Sequence, residues 1–388
     1  MVKKYAVGLM SGTSLDGIDA ALVEIEGSGV KTKCRLLHFS SIDIPVAMRH
    51  RIIEACNPQT SRIDEICSLN FELGKKFSEA VTYVLKEAQF KGALDFVASH
   101  GQTIYHLPNP GQNHVKSTLQ IGDPSAIAYE HRVPVIFNFR NMDILDGGDG
   151  APLVPYPEFI LYREEFETVL LQNIGGIGNV TVIPQHANLD DVFAFDTGPG
   201  NMMMNAATKY FYNELYDKDG KHASKGCLID PLYQSLIEHP YLKILPPKST
   251  GREMFGEDVV QDICNQYPCA DDVIYTLTKF TAYSITQAYK EFIMNKHTIH
   301  KVILGGGGAY NPVLIHEIRQ ILPKTITVVT QEDLGFSSDA KEAIAFAILG
   351  NETLESNPSN VPSSTGSRHQ MILGQICPNP WPSKTESH

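Results

Sequence analysis

Three short stretches of this chain carry residue types that can hold and transfer a phosphoryl group. Gly8-Leu-Met-Ser-Gly-Thr-Ser-Leu-Asp16-Gly-Ile-Asp19 is wedged between apolar runs at 5–9 and 20–25, and Asn173-Ile-Gly-Gly-Ile-Gly-Asn179 between runs at 169–171 and 180–183. Both read as strand, tight Gly/Ser turn, strand. Turns of this kind expose backbone N–H groups that can cradle phosphate oxygens. The third stretch, Phe195-Asp-Thr-Gly-Pro-Gly-Asn201, ends the apolar run 192–195 with a carboxylate. Such a carboxylate suits a general base facing a phosphate pocket, or a cap for the helix expected next. The repetition of the glycine turn in both halves implies a duplicated fold closing on one ligand.

Competing chemistries are weaker. Asp-Thr-Gly after an apolar strand is also the aspartic-protease signature, but that reaction needs two carboxylates sharing a proton, and Asp-Thr/Ser-Gly occurs once here. The chain contains no Gly-x4-Gly-Lys-Ser/Thr loop. His100 and His106 do not share one helix face and have no Cys or third His nearby, so metal ligation is not expected of them. Hydrogen bonding by His100 in a strand-end cluster with Ser99 and Gln102 is the better reading. Asp143, Asp146 and Asp149 fail the spacing of a calcium loop and read as a solvated turn. Gly305-Gly-Gly-Gly308 fits close approach by an adenosine or an ordinary tight turn equally well. Lys248-Ser-Thr-Gly-Arg252 fits either a phosphate contact or a plain surface loop.

The elements that would position these residues alternate between strand and helix, which argues an α/β fold. The spacing of Ile63, Ile66, Leu73, Phe77, Ala80 and Val84 predicts an amphipathic helix over 62–86 with Ser61 as N-cap. A short strand then runs into Ser99-His-Gly-Gln-Thr103, and another, 133–140, into the glycine-dense loop 146–152. Strand ends of this kind are where open α/β sheets present ligand groups. Helices are expected over 202–213 and 274–292. A strand at 301–304, a helix from Pro312, a strand at 325–329 and a short helix at 342–349 follow, before a Ser/Pro/Asn-rich tail from about 351.

Composition bounds the rest. At 388 residues the chain suits two domains, and we expect 1–136 with about 345–388 in the first and 137–344 in the second. With 32 basic against 44 acidic residues, the net charge of −12 argues against nucleic-acid or membrane-surface partners. The N-terminus lacks the pattern of a secretory signal, and the seven cysteines form no C-x-x-C, as befits a reduced, cytoplasmic protein.

Taken together, these segments resemble the anhydro-N-acetylmuramic acid kinases. The matching stretches are Gly8 to Gly17, Ser99-His-Gly-Gln-Thr103, Gly147-Gly-Asp-Gly-Ala-Pro-Leu-Val-Pro155, Asn173-Ile-Gly-Gly176, Phe195 to Asn201, Lys248-Ser-Thr-Gly-Arg-Glu253 and Gly305 to Asn311. The helix bearing Glu342, Val361-Pro-Ser-Ser-Thr-Gly366 and Leu373-Gly-Gln-Ile-Cys-Pro378 also match. The resemblance implies two RNase H-like domains of the actin and hexokinase ATPase kind, mixed sheets flanked by helices, with ATP in the cleft between them. It implies a reaction in which water opens the 1,6-anhydro bridge of anhydro-N-acetylmuramic acid while O6 takes the γ-phosphoryl group of ATP. By this resemblance Asp196 is the base. The phosphates meet Ser11, Gly12, Thr13, Ser14, Leu15, Asp16, Gly17 and Ile18, then Gly175, Gly176, Asn179, Gly198, Gly200 and Asn201, with Gly306 and Gly307 completing the ATP site. Mg²⁺ is held by Asp16 through a water, with Asp19 the alternative. His100, Gln102, Arg140 and Glu342 line the sugar pocket, Arg140 pairing with the lactyl carboxylate, and the protein is a homodimer. The chain departs from the family at Asn141-Met142, where many members carry further arginines, and at Asn138 and Asp149, where Asp and Gln are usual. An actin-like kinase of another small sugar, and an ATP-switched filament or chaperone, are the other readings. The polar cluster 99–103 argues against the last, since a pure switch needs no second small-molecule pocket.

Overall fold

The computed structural model describes residues 3–12, 15, 17–246, 248–334 and 339–382. It divides into two compact units, Met1–Leu161 with Asp339–His388, and Tyr162–Ser338.

In the first unit, β1 (Lys3–Ser11), β2 (Gly17–Glu26) and β3 (Lys33–Asp43) form an antiparallel meander. β4 (Phe96–Leu107) lies parallel to β1, β5 (Ser117–Ile121) pairs antiparallel with β4, and β6 (Val135–Phe137) runs parallel to β4. The path across the sheet is β3-β2-β1-β4-β6. In the second unit, β7 (Thr168–Ile174), β8 (Ile177–Ile183) and β9 (Phe193–Pro199) form the meander. β10 (Ile299–Gly305) and β11 (Thr327–Thr330) are parallel additions, in the path β9-β8-β7-β10-β11. Each sheet thus runs third, second, first, then two parallel strands. This is the RNase H-like arrangement, built twice.

Alternation along β1 shows how sequence sets the layers. Side chains two apart share a face, so Val7 and Leu9 join the core formed with Leu69, Leu73, Phe77 and Val84 of the helix Ile63–Glu87. Gly8 faces the opposite way, where the helix Lys341–Leu354 lies so close that a Cβ would overlap the Ala343 carbonyl. Glycine is needed there for proximity alone. The expected helical stripe starts late, with Ile66 only partly buried. Ile63 is 83% exposed, Leu69 opens the buried face, and Arg62 rather than Ser61 is the N-cap, with no side-chain bond. In the second unit the helix Ala270–Phe292 buries Val273, Ile274, Leu277, Phe280 and Ile285 in the core against the sheet, each contributing about 1.5–3 kcal/mol.

The unit boundary differs from the expected 136/137 and 344/345. The loop after β6 stays with the first unit because its polar groups are satisfied there. Asp143, fully buried, accepts from the backbone N–H of Gly150 (2.8 Å), Asn360 Nδ2 (2.9 Å) and Thr365 Oγ1 (2.7 Å). Asp146 accepts from the N–H of His369 (2.6 Å). Glu158 pairs with Lys341 at 2.5 Å, largely out of solvent. Asp143 and Asp146 are therefore buried fasteners rather than a solvated turn. The strand expected over 133–140 is shortened to β6 because the chain turns into a short helix, Asn141–Leu145. The tail packs on the same unit: β12 (Gln375–Cys377) pairs antiparallel with β6, and Trp381 Nε1 donates to the Tyr129 carbonyl at 2.8 Å.

Candidate active site

In the second unit, the β-sheet register aligns a row of residues from four strands. Gly305 pairs with Asn173, Asn173 with Asn179, and Asn179 with Asp196. Asp196 is half-buried in the middle of β9, because pairing with β8 continues past the expected strand end to Pro199. Its Oδ2 accepts from the backbone N–H of Thr250 at 3.0 Å, its own N–H donates to the Lys248 carbonyl at 3.1 Å, and Tyr241 Oη donates to its carbonyl at 2.9 Å. Burial pushes the Asp196 carboxyl above the usual carboxylate range, while the Thr250 N–H and the Lys248 ammonium pull it back. Behind it, buried Gln172 donates to Thr197 Oγ1 at 3.2 Å and accepts from Tyr289 Oη at 2.8 Å.

The glycine turns meet one another. Gly200 N–H and Asn201 N–H donate to the carbonyls of Gly176 (2.9 Å) and Gly175 (2.7 Å), and Met202 N–H also reaches Gly176 (3.2 Å). These three N–H groups therefore tie β9 to the β7–β8 turn rather than pointing outward, so any phosphate contact of Gly200 and Asn201 has to come from other atoms. Gly198, at φ +136°, sits against Ser284 of the long helix, which fixes it in the packing. The Gly305–Gly308 turn lies on the same hairpin: a Cβ at Gly306 (φ +78°) would press on Asn173 and Ile174, and one at Gly307 would come 3.2 Å from Asn201 Nδ2. Beside this junction opens a cavity of about 460 Å³ lined by Asn201, Asn205, Tyr216, Asp217, Gly307 and Tyr310, among others. Asp217 braces its wall by accepting from the N–H groups of His222 (2.8 Å) and Ala223 (3.0 Å). Of these lining residues, 204–213 fall in a stretch the sequence marks only as helix, and 216–219 carry no expected ligand role. The Asp-Gly turn at 219–220 was the available signal, with Gly220 at φ +66°.

In the first unit, Thr13, Ser14 and Asp16 lie outside the described residues. Ser11 Oγ donates to Gln102 Oε1 at 2.6 Å, and both are buried, so these two groups, expected on ATP and on sugar, hold each other. Leu15 and Ile18 are core side chains, leaving only their backbone for a ligand, and Gly12 and Gly17 flank the turn. His100 is buried; its Nδ1 lies 2.9 Å from the Gly101 carbonyl and so carries the proton. Its Nε2 then accepts from Arg140 Nε (3.1 Å) and Nη2 (2.9 Å), while Arg140 Nη1 donates to the Gly150 carbonyl (2.7 Å). The guanidinium edge expected to fork a substrate carboxylate is engaged within the protein. Burial, then the charge of Arg140, pulls His100 down to about 3.

Two carboxylates face this region. Asp19, paired in register with Ser41, is pushed up by burial and by Asp339, with a Ser41 hydrogen bond opposing. Glu342, on the accessible side of its helix, is pushed up by the surrounding protein and by Asp19, while Lys341 and Arg140 oppose. No helix among the described residues is long and apolar enough to cross a membrane.

Comparison with known proteins agrees with this architecture. The profile of the family "Anhydro-N-acetylmuramic acid kinase" matches residues 4–379. The chain is 52% identical over 383 residues to the anhydro-N-acetylmuramic acid kinase of Clostridioides difficile (strain 630), covering 98% of this chain and 100% of the relative. It is 52% identical over 376 residues to the enzyme of the same name from Bacillus cereus (strain G9842), covering 96% and 98%. Among solved structures, component A of the (R)-2-hydroxyglutaryl-CoA dehydratase of Acidaminococcus fermentans overlaps at TM-score 0.44 and 11% identity, over 89% of this chain and 96% of that one, a likeness too loose to bear on function. With two RNase H-like sheets, an aspartate within β9 and a profile match along nearly its whole length, the chain belongs to the anhydro-N-acetylmuramic acid kinase family.

Proposed function

We infer that this protein is an ATP-dependent kinase that opens the 1,6-anhydro bridge of anhydro-N-acetylmuramic acid and phosphorylates O6. The products are N-acetylmuramic acid 6-phosphate and ADP. The observation that carries the reading is Asp196: a half-buried carboxylate with Oδ2 held by the Thr250 N–H, in a chain of this family. Asp196 takes a proton from water as the water oxygen bonds to C1. The C1–O6 bond breaks, O6 bonds to the γ-phosphorus, and the bond from that phosphorus to the β–γ bridging oxygen breaks to release ADP. A general base of this kind supplies roughly 10²–10⁴-fold in rate.

The 460 Å³ cavity suits the adenosine of ATP, with Gly307 allowing close approach of a flat ring and Asn201 and Asn205 offering amide groups. Glu342 is the accessible first-unit carboxylate offered to sugar hydroxyls. His100 and Arg140 act behind it, fixing the loop that carries Gly150. Mg²⁺ suits this chemistry: Asp19 is a hard oxygen donor whose charged form, disfavoured by burial and Asp339, a nearby cation would favour. When bound, the ion neutralises charge on the phosphates. We further assign the protein to the cytoplasm, to recycling of peptidoglycan sugar, and to a homodimeric state.

The test is mass spectrometry of the product formed from the anhydro-sugar, ATP and Mg²⁺ in ¹⁸O water. A 6-phosphate bearing ¹⁸O at C1 is expected. Absence of any phosphorylated product, with an ordinary hexose or amino sugar turned over instead, overturns the substrate assignment.

A further inference from the structure

The segment that clamps Asp196 also carries a buried cation with an unusual set of neighbours. Lys248 is 8% exposed. Its ammonium lies 4.5 Å from the centroid of the Tyr241 ring and 4.7 Å from that of Phe292, and reaches the Tyr241 carbonyl only at 3.4 Å. Among the described residues no carboxylate comes within 4.0 Å of it, although Asp196 is the charged group it senses. Two aromatic faces offset part of the cost of burying an ammonium. The remainder calls for a negative charge nearby, and Asp196 is held there by the same backbone segment, through the Lys248 carbonyl on one side and the Thr250 N–H on the other.

We propose that Lys248 is a positioning residue for the reaction, its ammonium caged by Tyr241 and Phe292 so that its charge favours the carboxylate form of Asp196 without binding it directly. The inference rests on the reading of Asp196 as the base. A buried carboxyl tends to hold its proton, and a protonated base cannot accept another. A direct salt bridge would correct this but would occupy the oxygens that must meet the water. A cation held beyond salt-bridge distance favours the carboxylate while, among the described residues, only Oδ2 accepts a hydrogen bond, from the Thr250 N–H. Among the described residues, the groups around Asp196 are Lys248 itself, Tyr241 from the turn Pro240–Lys243, and uncharged Asn179 from β8. The helix Ala270–Phe292 contributes uncharged Phe292 and Ser284 to this surround. Burial draws Lys248 down to about 8, so the lever weakens as its own proton leaves.

The pH profiles of kcat and kcat/KM for wild type, Lys248→Met and Lys248→Arg test this, beside a carboxyl-¹³C titration of Asp196 assigned with Asp196→Asn. Loss of a nearby opposite charge moves a carboxyl up by about one unit or more. Lys248→Met is therefore expected to shift the acidic limb up by that amount, losing about tenfold in rate below it and recovering as pH rises. Lys248→Arg returns the limb toward wild type, which a purely structural role would not produce. In the wild type, the Asp196 ¹³C signal should show a second inflection near the Lys248 titration. A folded Lys248→Met protein with an unmoved limb, or no second inflection in the wild type, overturns the proposal. The wild-type inflection needs no variant to fold. A wild type inactive on the anhydro-sugar sinks the reading of function instead, and the ¹³C titration still decides the role of Lys248.

Discussion

His100 Nε2 accepts from both Nε and Nη2 of Arg140, at 3.1 and 2.9 Å, so a neutral imidazole is the acceptor for a half-buried guanidinium. This pairing requires the proton on Nδ1, where the Gly101 carbonyl receives it. The imidazole is drawn from its ordinary 6.5 down to about 3, first by burial and then by the arginine charge. The native state therefore stays unprotonated at His100 while the unfolded chain takes a proton below pH 6.5. The corresponding stability is complete above 6.5 and is lost as pH falls toward 3, with a slope approaching about 1.4 kcal/mol per pH unit. We expect ¹⁵N spectra to show a fixed Nδ1–H tautomer at His100 from pH 5 to 8. Denaturation of His100→Gln should lack this part of the acid slope. A His100 resonance titrating near 6.5 contradicts the arrangement.

Asp196→Asn separates chemistry from structure. An asparagine can still accept from the Thr250 N–H, and the bonds of its backbone to Lys248 and Tyr241 do not involve the carboxyl. The variant should fold with a melting temperature near that of wild type and bind ATP, yet lose roughly 10²–10⁴-fold in kcat. Product formation measured beside thermal melting checks both halves of the expectation. Unchanged turnover would remove Asp196 from the role of base.

The strands at 169–183 and 301–304 were legible because they are short, apolar and meet glycine turns, and glycine spacing marks turns whatever the ligand. The apolar period of the helix Ala270–Phe292 was legible for the same local reason. What one residue does to another across the fold was not. Nothing in the sequence near Arg140 announces that its donors end on His100, forty positions earlier, and on Gly150. Asp143 reads as a turn residue until the tail is seen to bring Asn360 and Thr365 onto it. Lys248 stood in a segment whose charge and glycine fitted a surface loop, and only the rings of Tyr241 and Phe292 show it to be enclosed.

The same tail yields a test of the glycine loop. Asp143 receives hydrogen bonds from Gly150, Asn360 and Thr365 with no solvent to replace them. Asp143→Ala should cost about 1–3 kcal/mol, since the Gly150 N–H is left unmet in the interior while Asn360 and Thr365 keep other acceptors. Hydrogen exchange at Gly150 and at 360–369 should accelerate together in the variant, read by denaturant unfolding and amide exchange. Faster exchange at the tail with Gly150 unchanged would show the loop held by Arg140 alone.

Gly198 sits two residues beyond Asp196 and carries two separable constraints. Its φ of +136° is a backbone conformation that side chains rarely adopt, and a Cβ there would overlap Ser284 Oγ, which donates to the Thr197 carbonyl at 2.7 Å. Backbone strain of this kind costs about 1–3 kcal/mol, and overpacking adds a similar amount. Gly198→Ala should therefore lose about 2 kcal/mol or more and lower kcat, because the strand that aims Asp196 must move off the helix. Ser284→Ala, by removing Oγ, relieves the overlap and leaves the strain. The double variant should thus lose less than the sum of the two single variants, with a coupling of about 1 kcal/mol or more. Denaturant unfolding of the four proteins measures it. Strict additivity would place the whole cost of the methyl group in the backbone and none in the contact between β9 and the helix.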